Sequence, residues 1–129
     1  MFFFSSHIFW IGDLNYRIYE NPLKSIYVDG NLNELLKYDQ LGLEMKKNRV
    51  FNLYTEGQIT FQPTYKYDPG TNNWDSSEKR RSPAWCDRVL WKGARIVQLA
   101  YQNVMNLQLS DHKPVYAVFS TGVSGSVFR

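Results

Sequence analysis

The stretch SPAWCDRVLW (residues 82–91) decides how the chain is interpreted, because it sets a cysteine, an acid and an arginine side by side between two tryptophans. A cysteine phosphatase needs a Cys-x5-Arg loop whose backbone amides and arginine cradle the phosphate. Position 92 is lysine, and the intervening residues DRVLW contain no glycine and are typical of a β-strand. We therefore predict that Cys86 is a small buried residue and that the chemistry belongs to its neighbour Asp87.

Composition limits the classes of protein to which the chain can belong. The 129 residues suit one domain or part of one, and 43% hydrophobic residues supply enough apolar side chain for a packed core. The net charge of +3 is weak support for an anionic partner, although KRR at 79–81 makes the middle of the chain locally basic. A single cysteine excludes an intrachain disulfide and makes a reducing compartment the default.

The opening MFFFSSHIFWIG is apolar, but it lacks the basic start and the cleavage site of a signal peptide. It predicts a buried strand instead, and no run in the sequence approaches the roughly 18 apolar residues of a transmembrane helix. The apolar run at 8–11, ended by Gly12-Asp13, predicts a central strand buried on both faces. We expect Trp10, Trp85 and Trp91 to lie in the core.

Helix and strand patterns follow one another along the chain, which predicts an α/β architecture. Leucines at helical spacing over 31–48 predict one or two amphipathic helices, with Gly42 as a candidate break. Residues 58–68 alternate apolar and polar side chains, which predicts a strand with Thr64 on its polar face and an edge or bulge at Pro63. Residues 68–83 predict a long polar loop. Further strands are predicted at 85–91, 95–101 and 114–119, followed by a frayed tail at 120–129.

Polar groups lie at the ends of three predicted strands, in GDLN (12–15), CDR (86–88) and SDH (110–112). In an extended chain Asp13 and Asn15 point the same way, because side-chain direction repeats every two residues. An acid can orient water, and a carboxamide can donate to a phosphoryl oxygen. His112 beside Asp111, with a second acid on another strand, resembles an oriented His–Asp pair next to a hard-metal carboxylate.

Four segments, in this order, resemble the signature of the inositol polyphosphate 5-phosphatase catalytic domain. Two of them match the patterns W-x-G-D-x-N-[YF]-R and P-[AS]-W-C-D-R-[IVL]-L, and residues 56–88 most resemble the type II, Lowe-syndrome-protein-like branch. The resemblance covers residues 8–119, and it implies the deoxyribonuclease I-like four-layer α/β sandwich of the endonuclease/exonuclease/phosphatase superfamily. The four segments are FWIGDLNYRI (9–18), TYKYD (64–68), SPAWCDRVLW (82–91) and SDHKPVYAVF (110–119).

The resemblance also implies catalytic roles. Asp13 would activate or orient the attacking water, and Asn15 would hold the scissile phosphate. Asp87 would pair with His112, which would contact the phosphate as a base or as a stabiliser of charge. Whether Asp13 or His112 is the base stays open. Asp111 would lie near a required Mg²⁺. The ion would be needed because phosphoryl transfer depends on positioning and positive charge rather than on a protein nucleophile.

Substrate recognition is implied by the same resemblance. The substrate would be phosphatidylinositol 4,5-bisphosphate or a related soluble inositol polyphosphate, which loses its 5-phosphate. The chain would work in the cytoplasm, peripherally on membranes, without a nucleic-acid partner. The residues that would bind the substrate are Tyr65, Lys66, Lys79 and Arg81, at the neighbouring 4-phosphate, and Arg88, which would support the site by pairing with acids.

The chain departs from the family in length. We expect residues 1–129 to be the C-terminal part of a catalytic domain whose other half carries the Glu that binds Mg²⁺. Such a half would expose an apolar sheet face. Two alternatives therefore stay open beside the phosphatase. One is an inactive fragment that binds inositol phosphates or a partner, and the other is a nuclease of the same superfamily, which TYKYD and SEKRR disfavour.

Overall fold

The computed structural model describes residues 7–19 and 31–122. These residues form two helices and two antiparallel sheets. The combination confirms the predicted α/β class. No described helix is long and apolar enough to cross a membrane. The elements are β1 (Ile8–Asp13), α1 (Leu32–Leu36), α2 (Gln40–Lys46), β2 (Thr55–Glu56), β3 (Asp87–Lys92), β4 (Ile96–Asn103) and β5 (Val115–Thr121).

Strand β3 is the centre of the first sheet, whose order is β1-β3-β2. Val89 and Leu90 of β3 are buried, as expected for a strand rich in β-branched and aliphatic residues. β1 runs antiparallel to β3, with Ile8 opposite Lys92 and Asp13 opposite Asp87. The stretch 82–91 therefore supplies most of the central strand. It also supplies the carboxylate of Asp87, which lies at the start of β3 and so at one end of the sheet.

The second sheet is the antiparallel hairpin of β4 and β5. Aromatic contacts join the two sheets: the ring of Phe119 lies 4.9 Å from that of Phe9 and 5.0 Å from that of Trp91. The strands predicted at 85–91, 95–101 and 114–119 are thus confirmed, with ends shifted by one to two residues. The predicted fraying at 120–129 is wrong for Ser120 and Thr121, which belong to β5, and residues 123–129 lie outside the described residues.

Two helices form over 31–48, but the predicted break at Gly42 is wrong. Gly42 lies inside α2, and the chain turns at Asp39 instead. Asp39 is the N-cap of α2, where its carboxylate accepts the backbone N–H of Gly42 at 2.8 Å. An N-cap acid satisfies a backbone donor that has no partner within the helix, so this acid, rather than the glycine, sets the boundary.

Strand β1 forms as predicted, but its expected burial on both faces is wrong. Trp10 is 50% exposed and Ile11 is 64% exposed. β1 is an edge strand that pairs only with β3 among the described residues, so its side chains receive few covering neighbours. The predicted opening strand at residues 1–6 lies outside the described residues. Trp85 is fully buried as expected. Large apolar side chains are exposed on three strands: Ile8, Phe9, Trp10, Ile11, Val97, Leu99, Tyr116 and Val118.

Residues 58–68 are not a strand, contrary to the prediction. Only isolated bridges form there, from Tyr65 to Ala84 and His112 and from Tyr67 to Trp74. Pro63 has no backbone N–H and interrupts a regular ladder. Thr64, predicted on a polar face, is fully buried. The alternating pattern instead belongs to an irregular segment whose apolar side chains lie in the core. The predicted loop at 68–83 follows this segment in the chain.

A buried ion cluster joins β3 to the helices and to β2. Arg88 is 1% exposed, and its guanidinium bonds both carboxylate oxygens of Asp39 at 2.8 and 2.9 Å and both of Glu56 at 2.6 and 2.8 Å. The fifth donor reaches the carbonyl of Trp85 at 3.0 Å. Burial by itself lowers the pKa of Arg88, but the hydrogen bonds to the two acids outweigh it and raise the pKa. All five N–H groups are therefore satisfied.

Replacing Arg88 with methionine should lower the free energy of unfolding by about 3–5 kcal/mol, because Asp39 and Glu56 would stay buried without a compensating charge. Urea unfolding followed by circular dichroism measures the change. Arg49 is the matched control, since its side chain is 63% exposed beside Glu44. Arg49→Met should cost less than about 1 kcal/mol. Equal losses in the two variants would contradict the central role of the buried cluster.

Candidate active site

The register of β1 on β3 places two acids together at one end of the first sheet. Asp13 is the last residue of β1 and lies opposite Asp87, the first residue of β3. His112, in the connection between β4 and β5, joins them, so that ligand atoms of the three side chains all lie within 4.8 Å of one another. Three of the four predicted catalytic residues therefore meet at one point.

Asp87 holds the ring of His112 in place. Nδ1 of His112 lies 2.9 Å from Oδ2 of Asp87, so the predicted pairing is present. Thr64 donates its hydroxyl to the same oxygen at 2.6 Å, which fixes the carboxylate. The hydrogen bond to Asp87 raises the pKa of His112 and outweighs the opposing effect of burial. A ring nitrogen beside a carboxylate keeps its proton, so Nε2 is the nitrogen that titrates.

Asn15 reaches the site by a different route from the one predicted. The alternation of an extended strand does not apply, because β1 ends at Asp13 and Asn15 has a left-handed φ of 56°, which Asn tolerates better than most residues. Its backbone N–H donates to Oδ1 of Asp13 at 2.9 Å. Arg17 donates to the side-chain oxygen of Asn15 at 2.6 Å. Since arginine can only donate, this bond identifies the oxygen and leaves the amide NH₂ as the outward donor.

Gly12 sets the direction in which the chain leaves β1. Its φ is +149°, in a region that side chains with a Cβ rarely adopt. It pairs with Arg88 in the register that puts Asp13 opposite Asp87. The glycine of the GDLN segment is therefore required by backbone conformation, and it places the acid that follows.

Arg17 was missed by the sequence analysis, although the matched pattern at 10–17 ends on it. Its guanidinium lies 4.1 Å from the ring centre of Tyr65, and the ring of Tyr65 lies 4.6 Å from that of His112. A cation over an aromatic face is attracted by the ring. The three side chains form a stack along one side of the site. Thr64 was also missed, because its place in an alternating pattern suggested a solvent-facing side chain.

Asp75 organises the basic loop. Its carboxylate accepts the backbone N–H of Ser77 at 3.0 Å and that of Arg81 at 2.8 Å. Lys66 lies 3.4 Å away. The hydrogen bonds from Ser77 and Arg81 lower the pKa of Asp75 well below its usual range. The structure therefore ties Lys66 to the loop that carries Arg81 and the exposed Lys79.

Two predicted site residues lie elsewhere. The assignment of Arg88 to substrate binding is wrong, because its guanidinium is buried and fully bonded, although the predicted pairing with acids is confirmed. Asp111 accepts from the hydroxyl of Ser110 at 3.3 Å and does not belong to the acid–histidine cluster. Its metal role stays a prediction. Cys86 is buried, and burial raises the pKa of its thiol to about 12, so the prediction of a small buried neighbour is confirmed.

The donor set fits a hard cation held from one side. Mg²⁺ takes oxygen ligands, commonly one or two carboxylates with water and substrate phosphate. Asp13 is exposed and uses Oδ1 for the N–H of Asn15, which leaves its second oxygen for a cation. Oδ2 of Asp87 is already engaged by Thr64 and His112. The described residues therefore suit a cation held by Asp13 together with water and phosphate oxygens.

Comparison with known proteins finds a family model and relatives that agree with one another. The model of the family described as "Endonuclease/Exonuclease/phosphatase family 2" matches residues 2–118. The chain is 53% identical over 119 residues to the type II inositol 1,4,5-trisphosphate 5-phosphatase of Mus musculus, covering 90% of this chain and 12% of that protein. It is 42% identical over 122 residues to the polyphosphatidylinositol phosphatase INP53 of Saccharomyces cerevisiae, covering 91% of this chain and 11% of that protein. The predicted resemblance is confirmed, and the chain spans only a small part of these relatives.

Solved structures confirm the predicted fold. The inositol polyphosphate 5-phosphatase domain of SpSynaptojanin, in complex with inositol (1,4)-bisphosphate and a calcium ion, matches with a TM-score of 0.82 and 43% identity, covering 91% of this chain and 35% of that one. A Cimex nitrophorin, solved as its ferrous NO complex, matches with a TM-score of 0.76 and 39% identity, covering 88% and 41%. Because neighbours with such different ligands share this backbone, the side chains of the site must decide the function.

A nuclear magnetic resonance titration of His112 should give a pKa above the ordinary histidine value of about 6.5, because of the hydrogen bond to Asp87. Asp87→Asn should lower that pKa. The pair's stabilisation is fully present below the unfolded pKa and lost as the pH rises through the folded one. The stability gap between wild type and Asp87→Asn should therefore be larger near pH ~5 than near pH ~9. Asp13→Asn is the control and should lower the pKa less; an equal fall would contradict the pairing.

Proposed function

The chain belongs to the endonuclease/exonuclease/phosphatase family 2, and on that premise we propose that its site takes part in Mg²⁺-dependent hydrolysis of the 5-phosphate of phosphatidylinositol 4,5-bisphosphate and related inositol polyphosphates. The observation that carries the proposal is the meeting of Asp13, Asp87 and His112 within 4.8 Å. The basic loop tied to Lys66 supports the choice of a polyphosphorylated substrate. The lipid form of that substrate implies a peripheral position on cytoplasmic membranes.

In the proposed reaction water attacks phosphorus and the bond to the ring oxygen breaks. One of the two protons of the water ends on that ring oxygen and the other stays on the released hydrogen phosphate. Asp13 orients the water, and the outward NH₂ of Asn15 donates to a phosphoryl oxygen. The hydrogen bond to Asp87 raises the pKa of His112, and the imidazole held by that bond acts on the phosphate as a base or as a stabiliser of charge. Asp13 would hold a Mg²⁺ ion, for which Asp111 is proposed as a further neighbour, and the ion would supply positive charge to the phosphoryl oxygens.

The 4-phosphate is proposed to bind the basic loop. Lys66 is partly exposed and is positioned by Asp75, while the side chains of Lys79 and Arg81 are exposed. Tyr65 directly precedes Lys66, and its ring contacts Arg17 and His112 beside the site. Cations on one side of the acid–histidine cluster would hold the ring with its 5-phosphate over Asp13.

A second candidate is binding of inositol phosphates without turnover. It is favoured by the few carboxylate oxygens that the described cluster offers to a cation, since Oδ2 of Asp87 already accepts from Thr64 and lies 2.9 Å from Nδ1 of His112. A catalytic divalent ion needs its coordination completed by water or by further oxygen ligands. The two candidates share the basic loop and differ only in whether phosphate is released.

Purified chain, mixed with phosphatidylinositol 4,5-bisphosphate and Mg²⁺, should release phosphate, and His112→Ala should reduce the rate at least about 100-fold, because one proton-transfer or charge-stabilising group is lost. A phosphate-release assay measures the rate, and calorimetry with inositol 1,4,5-trisphosphate measures binding. Binding without release would favour the second candidate. A folded chain that neither binds nor releases would overturn both.

Lys66→Ala and Arg81→Ala should weaken binding of inositol phosphates that carry a 4-phosphate by about tenfold each, and should affect those without it much less, because each loses one charge-assisted contact. Calorimetry on the two ligand types gives the ratio. Arg80→Ala is the matched control, since Arg80 is an exposed cation in the same loop that is not assigned to the clamp. Equal losses with both ligand types would contradict the assignment.

A further inference from the structure

The ammonium group of Lys113 is buried without a carboxylate partner. The residue is 0% exposed, and the ion pairs of the described residues involve other side chains. Its Nζ donates instead to the carbonyl oxygen of Thr71 at 2.8 Å and lies 4.7 Å from the ring centre of Tyr67. Burying a charge is costly, so these two contacts are what the ammonium adds over an apolar side chain of the same length.

Thr71 belongs to a turn of the chain, residues 66–75, whose two ends meet at Lys66. Asp75 donates its backbone N–H to the carbonyl oxygen of Lys66 at 3.0 Å, and its carboxylate lies 3.4 Å from the ammonium of Lys66. This turn therefore carries, at one end, a side chain proposed above to bind the 4-phosphate. The hydrogen bond from Lys113 holds the middle of the same turn.

Tyr67 connects the 66–75 turn to the same lysine by a second contact. Its ring stacks on the ring of Trp74 with centres 4.5 Å apart, and the ammonium of Lys113 lies near it. A cation over an aromatic face is attracted by the ring, and the attraction grows when water is excluded. The backbone N–H of Tyr67 donates to the carbonyl oxygen of Asp111 at 2.9 Å. Backbone and side-chain contacts therefore both fasten the turn to the segment that carries Lys113.

Lys113 directly follows the catalytic histidine. Its backbone N–H donates to the carbonyl oxygen of Thr64 at 2.8 Å, and the hydroxyl of Thr64 donates to Asp87 at 2.6 Å. Two consecutive side chains thus reach different targets, because His112 contacts Asp87 and Lys113 contacts Thr71. This dipeptide sets the separation between the acid–histidine cluster and the turn.

We propose that Lys113 is a positioning residue, which fixes the 66–75 turn relative to His112 and so favours substrates with phosphates on neighbouring ring carbons. The inference rests on the proposed function, which assigns Lys66 to the 4-phosphate and His112 to the 5-phosphate. A bound ring satisfies both side chains only if their separation matches the spacing of adjacent phosphates. Lys113 is itself buried, so it acts through the turn.

Lys113→Met tests the inference, because it keeps an unbranched side chain of similar length and removes the charge and the donor. Calorimetry should show inositol 1,4,5-trisphosphate binding weakened about fivefold, and inositol 1,5-bisphosphate binding changed less than about twofold, since only the contact with the 4-phosphate is misplaced. Lys47→Met is the matched control: Lys47 is an exposed lysine beside Glu44, and its loss should affect neither ligand. Equal losses with the two ligands, or no loss with either, would overturn the inference.

A double-mutant cycle with Lys66→Ala shows whether Lys113 acts through Lys66. Once the ammonium of Lys66 is gone, adding Lys113→Met should weaken trisphosphate binding by less than about twofold more. A merely structural role would give the full loss in both backgrounds, and that additive result would contradict positioning through Lys66.

Hydrogen exchange followed by mass spectrometry reports on the turn without any ligand. In Lys113→Met the amides of residues 66–75 should exchange at least about tenfold faster, while those of β3 should not change, because only a local contact is lost. Unchanged exchange in the turn would refute the inference. If the wild-type chain binds neither ligand, the proposed function fails, and the exchange result alone decides whether Lys113 holds the turn.

Trp74→Ala provides a second variant, should Lys113→Met fail to fold. Trp74 is 36% exposed, so its removal loosens the stack on Tyr67 from the surface and spares the buried lysine. The variant should show the same selective loss of trisphosphate binding. A loss shared equally by the two ligands, or binding equal to that of the wild type, would count against the inference.

Discussion

The buried guanidinium of Arg88 is the contact on which the rest of the described structure depends. It joins the N-cap of α2 through Asp39 and strand β2 through Glu56, and Glu56 in turn accepts the hydroxyl of Tyr101 from β4 at 2.9 Å. Such a cluster costs much desolvation and adds little stability over a well-packed apolar core. Its geometry, however, allows one arrangement only, because every donor has a defined partner. Two helices and strands of both sheets are thereby fixed relative to β3.

The site follows from this constraint through the register of one strand pair. Gly12 lies opposite Arg88, and the next pair along is Asp13 opposite Asp87. A slip of one residue would turn each side chain to the other face of the sheet and would separate the two carboxylates. The two carboxylates thus need no scaffold of their own, because the register of the central strand places them.

Much of the site was predictable because its residues lie in short, ordered segments. The pairing of Asp87 with His112 was expected from the resemblance of these segments to the phosphatase family, and the burial of Cys86 from the residues around it. The exposure of Trp10 could not be expected, since it depends on which segments, far apart in sequence, cover β1. The cap at Asp39 is a local contact with Gly42, three residues on, and the leucine spacing alone did not indicate it. Periodicity reports which side chains are apolar, and it does not report whether a strand will have neighbours on both faces.

The misassigned segment 58–68 shows the same limit at the site itself. Thr64 occupies a polar position in an alternating pattern, and solvent is the usual destination of such a residue. Here its hydroxyl is buried and donates to Asp87 at 2.6 Å. A threonine can take this position because its hydroxyl both donates to the carboxylate and accepts the N–H of Asp87 at 3.3 Å. Only the fold brings these two residues together, and nothing in the local pattern distinguishes such a threonine from an exposed one.

The distribution of charge explains why the proposed chemistry requires added cations. Asp13 and Asp87 place two carboxylates within 4.8 Å of His112, and a phosphate approaching them meets repulsion. Within the described residues, Arg17 is committed to Asn15 and to the ring of Tyr65. A divalent ion beside Asp13 and the basic loop on the other side would reverse the sign of the field at the phosphate, so the acids can orient water without repelling the substrate.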